Sequence, residues 1–160
     1  MRTSQLLADR EVVQLARLIA DSYPRVVGDS LIELPAAETD ERIAAALYEH
    51  PAVVLSHDGA PDPTFTFANQ AAQELFEYSW DEFLTLRSHQ SAEPQHRSDR
   101  AEMLERAARD GYIADYRGVR ISGSGKRFEI ENAIIWSVRD QHGTPVGQAA
   151  VFDQWKFLTD

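Results

Sequence analysis

The stretch Phe67–Glu82, FANQAAQELFEYSWDE, constrains the path of this chain more than any other segment of its 160 residues. Residues 64 to 68 alternate, with Phe65 and Phe67 on one side, and the alternation stops at Asn69. Asparagine is a strong helix N-cap, because its side-chain oxygen takes up an amide hydrogen that the first turn leaves without a partner. A helix over 70–77 follows, carrying Leu75 and Phe76. Ser79 and Glu82 then have the S-x-x-E spacing of a capping box, and Tyr78 and Phe83 are placed to form the matching hydrophobic staple. A strand end and two capped helix starts this close together commit the chain to short helices folded back over a sheet edge.

The flanking segments extend that plan. Residues 4 to 20 read as a helix, with Ala8, Val12, Leu15, Ala16 and Ile19 in one stripe that Leu6, Leu7, Val13 and Leu18 widen. The stripe suits packing on the parent domain or a homodimer seam. Pro24, Gly28 and Pro35 make residues 21 to 37 a linker. A second helix over 39–49 is capped by Thr39 or Asp40 and stopped by Pro51. Residues 52–56 and 64–68 form an antiparallel hairpin closed by a loop from Asp58 to Pro63. A further helix, with Pro94 in its first turn and Leu104, Ala107 and Ala108 inward, ends at Gly111. Three strands over 113–122, 127–138 and 146–155 complete the chain, joined by turns at 122–125 and 140–143. In the middle strand the alternation puts Phe128, Ile130, Asn132, Ile134, Trp136 and Val138 on one face. The whole is an α+β fold: a five-stranded antiparallel sheet, a helical lid and an N-terminal helical extension, divided at 37/38 into extension and domain.

Composition narrows the function classes. There is no cysteine, which removes disulfides, thiolate metal sites and thiol nucleophiles. The formal charge of −10, from 16 Lys and Arg against 26 Asp and Glu, opposes attraction to nucleic acid and to anionic membrane. Arg117, Arg120, Lys126 and Arg127 are the one basic concentration, and they read as a solvated strand face. No apolar run is long enough to span a bilayer, and the N-terminus lacks an apolar signal centre, so a soluble cytoplasmic protein is expected. The histidines at 50, 57, 89, 96 and 142 show no metal-ligand spacing, and no nucleophile sits in a catalytic motif. The expectation is a binding module with no metal, not an enzyme.

These segments resemble the PAS superfamily over residues 41 to 155. FTFANQAAQELFEYSWDEF is similar to its strand-Asn-helix-helix pattern. The second half, GYIADYRGVRISGSGKRFEIENAIIWSVRDQHGTPVGQAAVFD, is similar to its long strands around a G-x-G-K-R-F turn. More narrowly, SAEP at 91–94, GYI-x-x-YRG at 111–118 and the close from Gln148 to Trp155 resemble the MEKHLA domain. That is a PAS-like module of single-domain bacterial proteins and of some plant homeodomain–leucine-zipper factors. The resemblance implies a structural role for Asn69, lid positions at Leu75, Phe76 and Phe83, and inward positions at Phe128, Ile130, Ile134 and Trp136. Light-sensing flavin members carry a cysteine motif that is missing here. Haem members carry an axial histidine, for which only His89 and His96 are near, so no cofactor is assigned.

The reading is a sensory module that binds an unidentified small molecule between sheet and lid and signals through protein contacts. The candidate cavity comprises Leu75, Phe76, Phe83, Met103, Leu104, Phe128, Ile130, Asn132, Ile134, Trp136, Gln148 and Phe152. Asn132 or Gln148 would be the polar contact in an apolar pocket. Tyr112, Tyr116, Arg117 and Arg120 form a polar cluster that suits a pocket mouth or a partner surface. Asn69, Ser79 and Glu82 are structural. The alternative is a ligand-free interaction or dimerisation module whose core is filled by its own bulky side chains.

Overall fold

The structure, a computed structural model, describes residues 1–35, 37–91 and 97–159. Its helices are α1 (Thr3–Leu7), α2 (Arg10–Val27), α3 (Asp40–Tyr48), α4 (Gln70–Phe76), α5 (Trp80–Phe83) and α6 (Arg97–Asp110). Its strands are β1 (Val53–His57), β2 (Phe65–Ala68), β3 (Tyr112–Ile121), β4 (Arg127–Arg139), β5 (Pro145–Phe152) and β6 (Gln154–Phe157). The strands form one antiparallel sheet in the order β2-β1-β5-β4-β3, with β6 also paired to β4. The expected fifth strand is thus two, interrupted at Asp153, and the sheet has six strands. Pro94, His96 and the side chains of His89, Leu104, Ala107 and Ala108 lie outside the described residues.

The helix starts follow from local chemistry. The Asn69 side chain accepts from Ala72 N, and the Ser79–Glu82 capping box closes in both directions at 3.2 and 2.9 Å. Tyr78 and Phe83 stack edge to face with ring centres 5.8 Å apart, completing the staple. At the N-terminus, Asp9 caps α2, which runs past the expected linker start, through Pro24, to Gly28 at φ 95°. Pro24 lies four residues before Gly28, its missing N–H removing one i to i−4 bond without stopping the helix, and the left-handed Gly28 ends it.

Two helical layers cover the two faces of the sheet. Helices α4 and α5 and part of α6 cover one face over Val53, Leu55, Phe65, Ile113, Phe128, Ile130, Ala133, Ile135 and Phe152. Helices α1 to α3 cover the other over Val54, Phe67, Trp136, Val138 and Ala149. Leu6, Val13, Ala16 and Ile19 of the expected stripe are buried there with Ala20 and Tyr23, across the expected 37/38 boundary, while Leu7, Val12, Leu15 and Leu18 are partly buried and Ala8 is exposed. Tyr23 meets Trp136 edge to face at 4.9 Å, and Arg139 N donates to Ser22 Oγ at 3.0 Å.

This arrangement corrects the reading of β4. Its alternation does not run unbroken from Phe128 to Val138: Phe128 and Ile130 face the lid, whereas Ile134, Trp136 and Val138 belong to the face covered by α2. The cause is a bulge. Between the Tyr116–Ala133 and Gly118–Ile130 pairs, β4 carries one residue more than β3, and Asn132 takes up the excess at φ 54°. A one-residue slip turns every later side chain to the opposite face. A reciprocal bulge on β3, with Asp115 at φ 58°, restores the register, so that Ile113 again pairs with Ile135.

Candidate functional site

Beneath the lid the wall of the sheet and the helices interlock through aromatic rings. Phe76 lies 5.2 Å from Phe128 and 5.5 Å from Phe83, and Phe65 lies 5.0 Å from Phe83, all edge to face. The inner end of α4 is tied to the β3–β4 turn. Gly123 N donates to Phe76 O at 2.8 Å, and the hydroxyls of Ser122 and Ser124 both donate to Glu77 Oε1. These hydroxyls hold the Glu77 carboxyl below the usual carboxylate range, with Lys126 adding a smaller attraction. Gly123 is required by close approach: a Cβ there would come 2.7 Å from Glu77 O.

Between these layers lies a cavity of about 40 Å³. That is room for about three waters or a small organic group, since one water needs roughly 10–15 Å³. Leu55, Phe65, Phe76, Ile130, Ala133, Ile135, Ala150 and Phe152 supply apolar walls. His57, Ser91, Tyr116, Arg120 and Gln148 supply polar groups. Arg120 is 7% exposed; its Nη2 donates to Tyr116 Oη at 2.8 Å and its Nη1 to Val119 O at 3.0 Å. Its guanidinium carbon also lies 5.6 Å from the centre of the Tyr116 ring. The two side chains meet over Gly118, where an added Cβ would come 2.6 Å from Tyr116 Oη and 2.9 Å from Arg120 Nη1. His57 Nδ1 is 2.6 Å from Asp58 O, and Ser91 Oγ donates to Ser88 O at 3.1 Å.

Among the expected cavity residues, Phe76, Ile130, Gln148 and Phe152 line this space. Leu75, Phe83, Phe128 and partly buried Met103 support it from the surrounding core. Three expectations are corrected. Asn132 is exposed, and its Nδ2 donates to Gln154 Oε1 at 2.7 Å, outside the cavity. Ile134 and Trp136 pack under α2, for the reason given by the bulge. The polar cluster also divides: Tyr116 and Arg120 are buried at the cavity, whereas Tyr112 is 40% exposed. Arg117 is exposed beside Glu129 and Glu131 at 3.3 and 3.7 Å. With Arg120 buried, the four basic residues near the β3–β4 turn share no common surface. Leu55, His57, Phe65, Ala133 and Ile135 escape the sequence reading. For Ala133 and Ile135 the missing signal is the bulge; for Phe65 it was present in the strand alternation.

Asn69 acts structurally, as expected, and through more contacts than a cap alone. It is fully buried; Oδ1 accepts from Ala72 N and Val54 N at 3.0 Å, and Nδ2 faces Ala52 O at 2.8 Å and Leu47 O and His50 O at 3.3 Å. Among the described residues no group of three or more His, Asp or Glu side chains could hold a metal, and no helix is long and apolar enough to cross a membrane.

The family model of the MEKHLA domain matches residues 13–157. The chain is 29% identical over 150 residues to the homeobox-leucine zipper protein HOX29 of Oryza sativa subsp. japonica, covering 92% of this chain and 17% of that protein. It is 24% identical over 128 residues to the homeobox-leucine zipper protein REVOLUTA of Arabidopsis thaliana, covering 80% of this chain and 15% of that protein. The match therefore spans less than a fifth of either plant protein. Among solved structures, the PAS domain of a protein from Colwellia psychrerythraea superposes with a TM-score of 0.61 at 13% identity, covering 74% of this chain and 96% of that one. An RNA-binding light-oxygen-voltage receptor superposes with a TM-score of 0.63 at 18% identity, covering 79% of this chain and 35% of that one. A light-oxygen-voltage domain studied with a flavin analogue gives 0.57 at 18% identity, covering 74% and 86%. The fold is thus PAS-like. The chain has no cysteine for a flavin–thiol adduct, and the cavity that Phe65, Phe76 and Phe152 help to line is too small for a fused flavin ring.

Proposed function

This chain belongs to the MEKHLA domain family, and we propose that it works as a PAS-like sensory module, binding a small molecule between sheet and lid and signalling through protein contacts. The observation that carries the reading is the cavity itself: apolar walls with a few convergent polar side chains, roofed by short helices that are separately capped and tethered. Strand β4 offers a physical route outward. Ala133 and Ile135 touch the cavity while the intervening Ile134 and the next residue, Trp136, touch the N-terminal helical layer. A ligand shifts that layer only if it binds two arrangements with different affinity. On this reading the chain acts in the cytoplasm, is not catalytic, and hands its output to a partner protein or a second copy. Self-association would use the rim that α2 leaves partly exposed, Val12, Leu15 and Leu18.

Native mass spectrometry of gently purified full-length chain tests the proposal, together with hydrogen exchange of α4, α5 and α2. A retained small molecule whose removal speeds exchange in all three helices supports it. Repeated absence of any such molecule, with exchange unchanged by candidate ligands, rejects it. A second reading has its own support: the edge-to-face phenylalanines leave only about 40 Å³ open, as a ligand-free interaction module would. That reading expects the rejecting result and a partner contact that survives changes to the cavity lining.

A further inference from the structure

We propose that the cavity is a site for a small carboxylate with a short apolar tail, held by the guanidinium of Arg120 and the hydroxyl of Tyr116; this rests on the sensory reading above. Arg120 is 7% exposed and lines the cavity, yet among the described residues no carboxylate pairs with it. Its two hydrogen bonds, to a tyrosine hydroxyl and a backbone carbonyl, carry no negative charge and use two of its five donors. Arginine cannot shed its proton to relieve burial, so among the described residues its charge has no carboxylate partner and suits a bound anion.

The surroundings choose among anions. A planar fork of N–H donors matches the two oxygens of a carboxylate. The remaining walls, with Phe76, Ile130, Ile135 and Phe152 among them, are apolar and suit a short hydrocarbon tail. The volume of about 40 Å³ does not suit a fused ring and favours the shortest acids, and the apolar walls disfavour the doubly charged head of a phosphate ester. Gly118 is the second, independent sign that the pair is built. Any larger residue would push Tyr116 Oη and Arg120 Nη1 apart, because both lie within 2.9 Å of where its Cβ would stand.

The test is titration of the full chain with acetate, propionate, butyrate and hexanoate, followed by amide chemical shifts, with butyramide as neutral control and phosphate as anion control. Saturable shifts confined to residues around Tyr116–Ile121 and the lid are expected, with butyramide binding roughly tenfold weaker or worse. Arg120→Met should abolish carboxylate binding while leaving the unbound protein as stable as the parent or more so, because it removes an uncompensated buried charge. Tyr116→Phe should weaken binding roughly tenfold. The inference is overturned if none of the four acids gives local saturable shifts, if butyramide or phosphate equals butyrate, or if Arg120→Met unfolds the protein. A neutral molecule retained in the cavity and indifferent to Arg120→Met would sink the carboxylate and leave the sensory reading standing. No retained or bound molecule of any kind would sink both.

Discussion

Replacing Asn69 tests how the lid is joined to the sheet. The residue is fully buried and stands where β2 ends, α4 begins and the loop after α3 passes β1. Its oxygen replaces a strand neighbour for Val54 N and a preceding turn for Ala72 N, while its nitrogen faces three carbonyls. Asn69→Ala removes the cap, about 1 kcal/mol, and leaves Val54 N and Ala52 O buried without partners, each about 1–3 kcal/mol. The expected loss is about 3–7 kcal/mol, large for a single substitution and diagnostic of a broken buried network.

Asn69→Asp separates the two halves of that network. Its oxygen keeps both accepted hydrogen bonds, but the second oxygen replaces a donor opposite Ala52 O, Leu47 O and His50 O. Ionised, the side chain is repelled by three carbonyls; protonated, it donates to one of them. Its folded pKa must therefore rise above the unfolded value, so the folded state binds the extra proton first. Stability relative to the parent then falls as pH rises from the unfolded towards the folded pKa, and recovers on acidification. Urea unfolding of parent and both variants at pH 7.5 and pH 4.5 reads this directly. A loss below about 1 kcal/mol for Asn69→Ala, or a deficit for Asn69→Asp that ignores pH, would refute the reasoning.

Three further outcomes follow from the same contacts. The Glu77 clamp has the opposite sign: its carboxyl is held low by Ser122 and Ser124, so its contribution is present above the ordinary carboxylate pKa and fades as pH falls through the depressed value. Glu77→Gln should therefore be less stable than the parent at neutral pH and match it in strong acid, by thermal unfolding; equal stability at neutral pH contradicts the clamp. At the bulge, Asn132→Gly should be nearly neutral and Asn132→Ile should cost about 1–3 kcal/mol, because a β-branched residue resists φ 54°; equal denaturation midpoints contradict it. On the outer face, Trp136→Ala should cost about 3–5 kcal/mol and speed hydrogen exchange in α2, which packs on that ring through Tyr23; unchanged exchange in α2 would show that the helix is held independently of the sheet.

The parts of this fold that were legible in the sequence are those decided by neighbours along the chain. Asn69, Ser79 with Glu82, and Thr39 mark helix starts because the capping atom and the amide it serves lie two or three residues apart. Gly111 marks a helix end through its positive φ, and Gly28 does the same for α2 in place of the expected linker from residue 21. The lid positions Leu75, Phe76 and Phe83 came from the resemblance to the PAS superfamily, and all three are buried in the core beneath the lid. Pro24 misled because a proline removes one hydrogen bond of a helix without necessarily ending it, and the packing of Ala20 and Tyr23 against the sheet carries the helix on to Gly28.

What alternation could not reveal is where the pattern changes face. The run from Phe128 to Val138 reads as one stripe because hydrophobes continue at alternate positions through the slip, packed under the lid before it and under α2 after it. Glu129 and Glu131 mark the outer face before the slip, but beyond it Ala133 and Ile135 take the corresponding positions, so no charged residue marks the new outer face. The single polar residue in the stripe, Asn132, was the slip itself. Asparagine tolerates the left-handed region better than most residues, so a lone Asn among alternating hydrophobes is as compatible with a bulge as with a polar contact in a pocket. The same logic applies to Arg120. A charged residue in a strand is read as solvent-facing because arginine is seldom fully buried. Yet Tyr116, Gly118 and Arg120 occupy alternate positions on one face, and a glycine between two long polar side chains is the local mark of their closing over it. Read as that pattern, YRGVR places the arginine inward together with the tyrosine, and the polar feature of the cavity passes from Asn132 to Arg120.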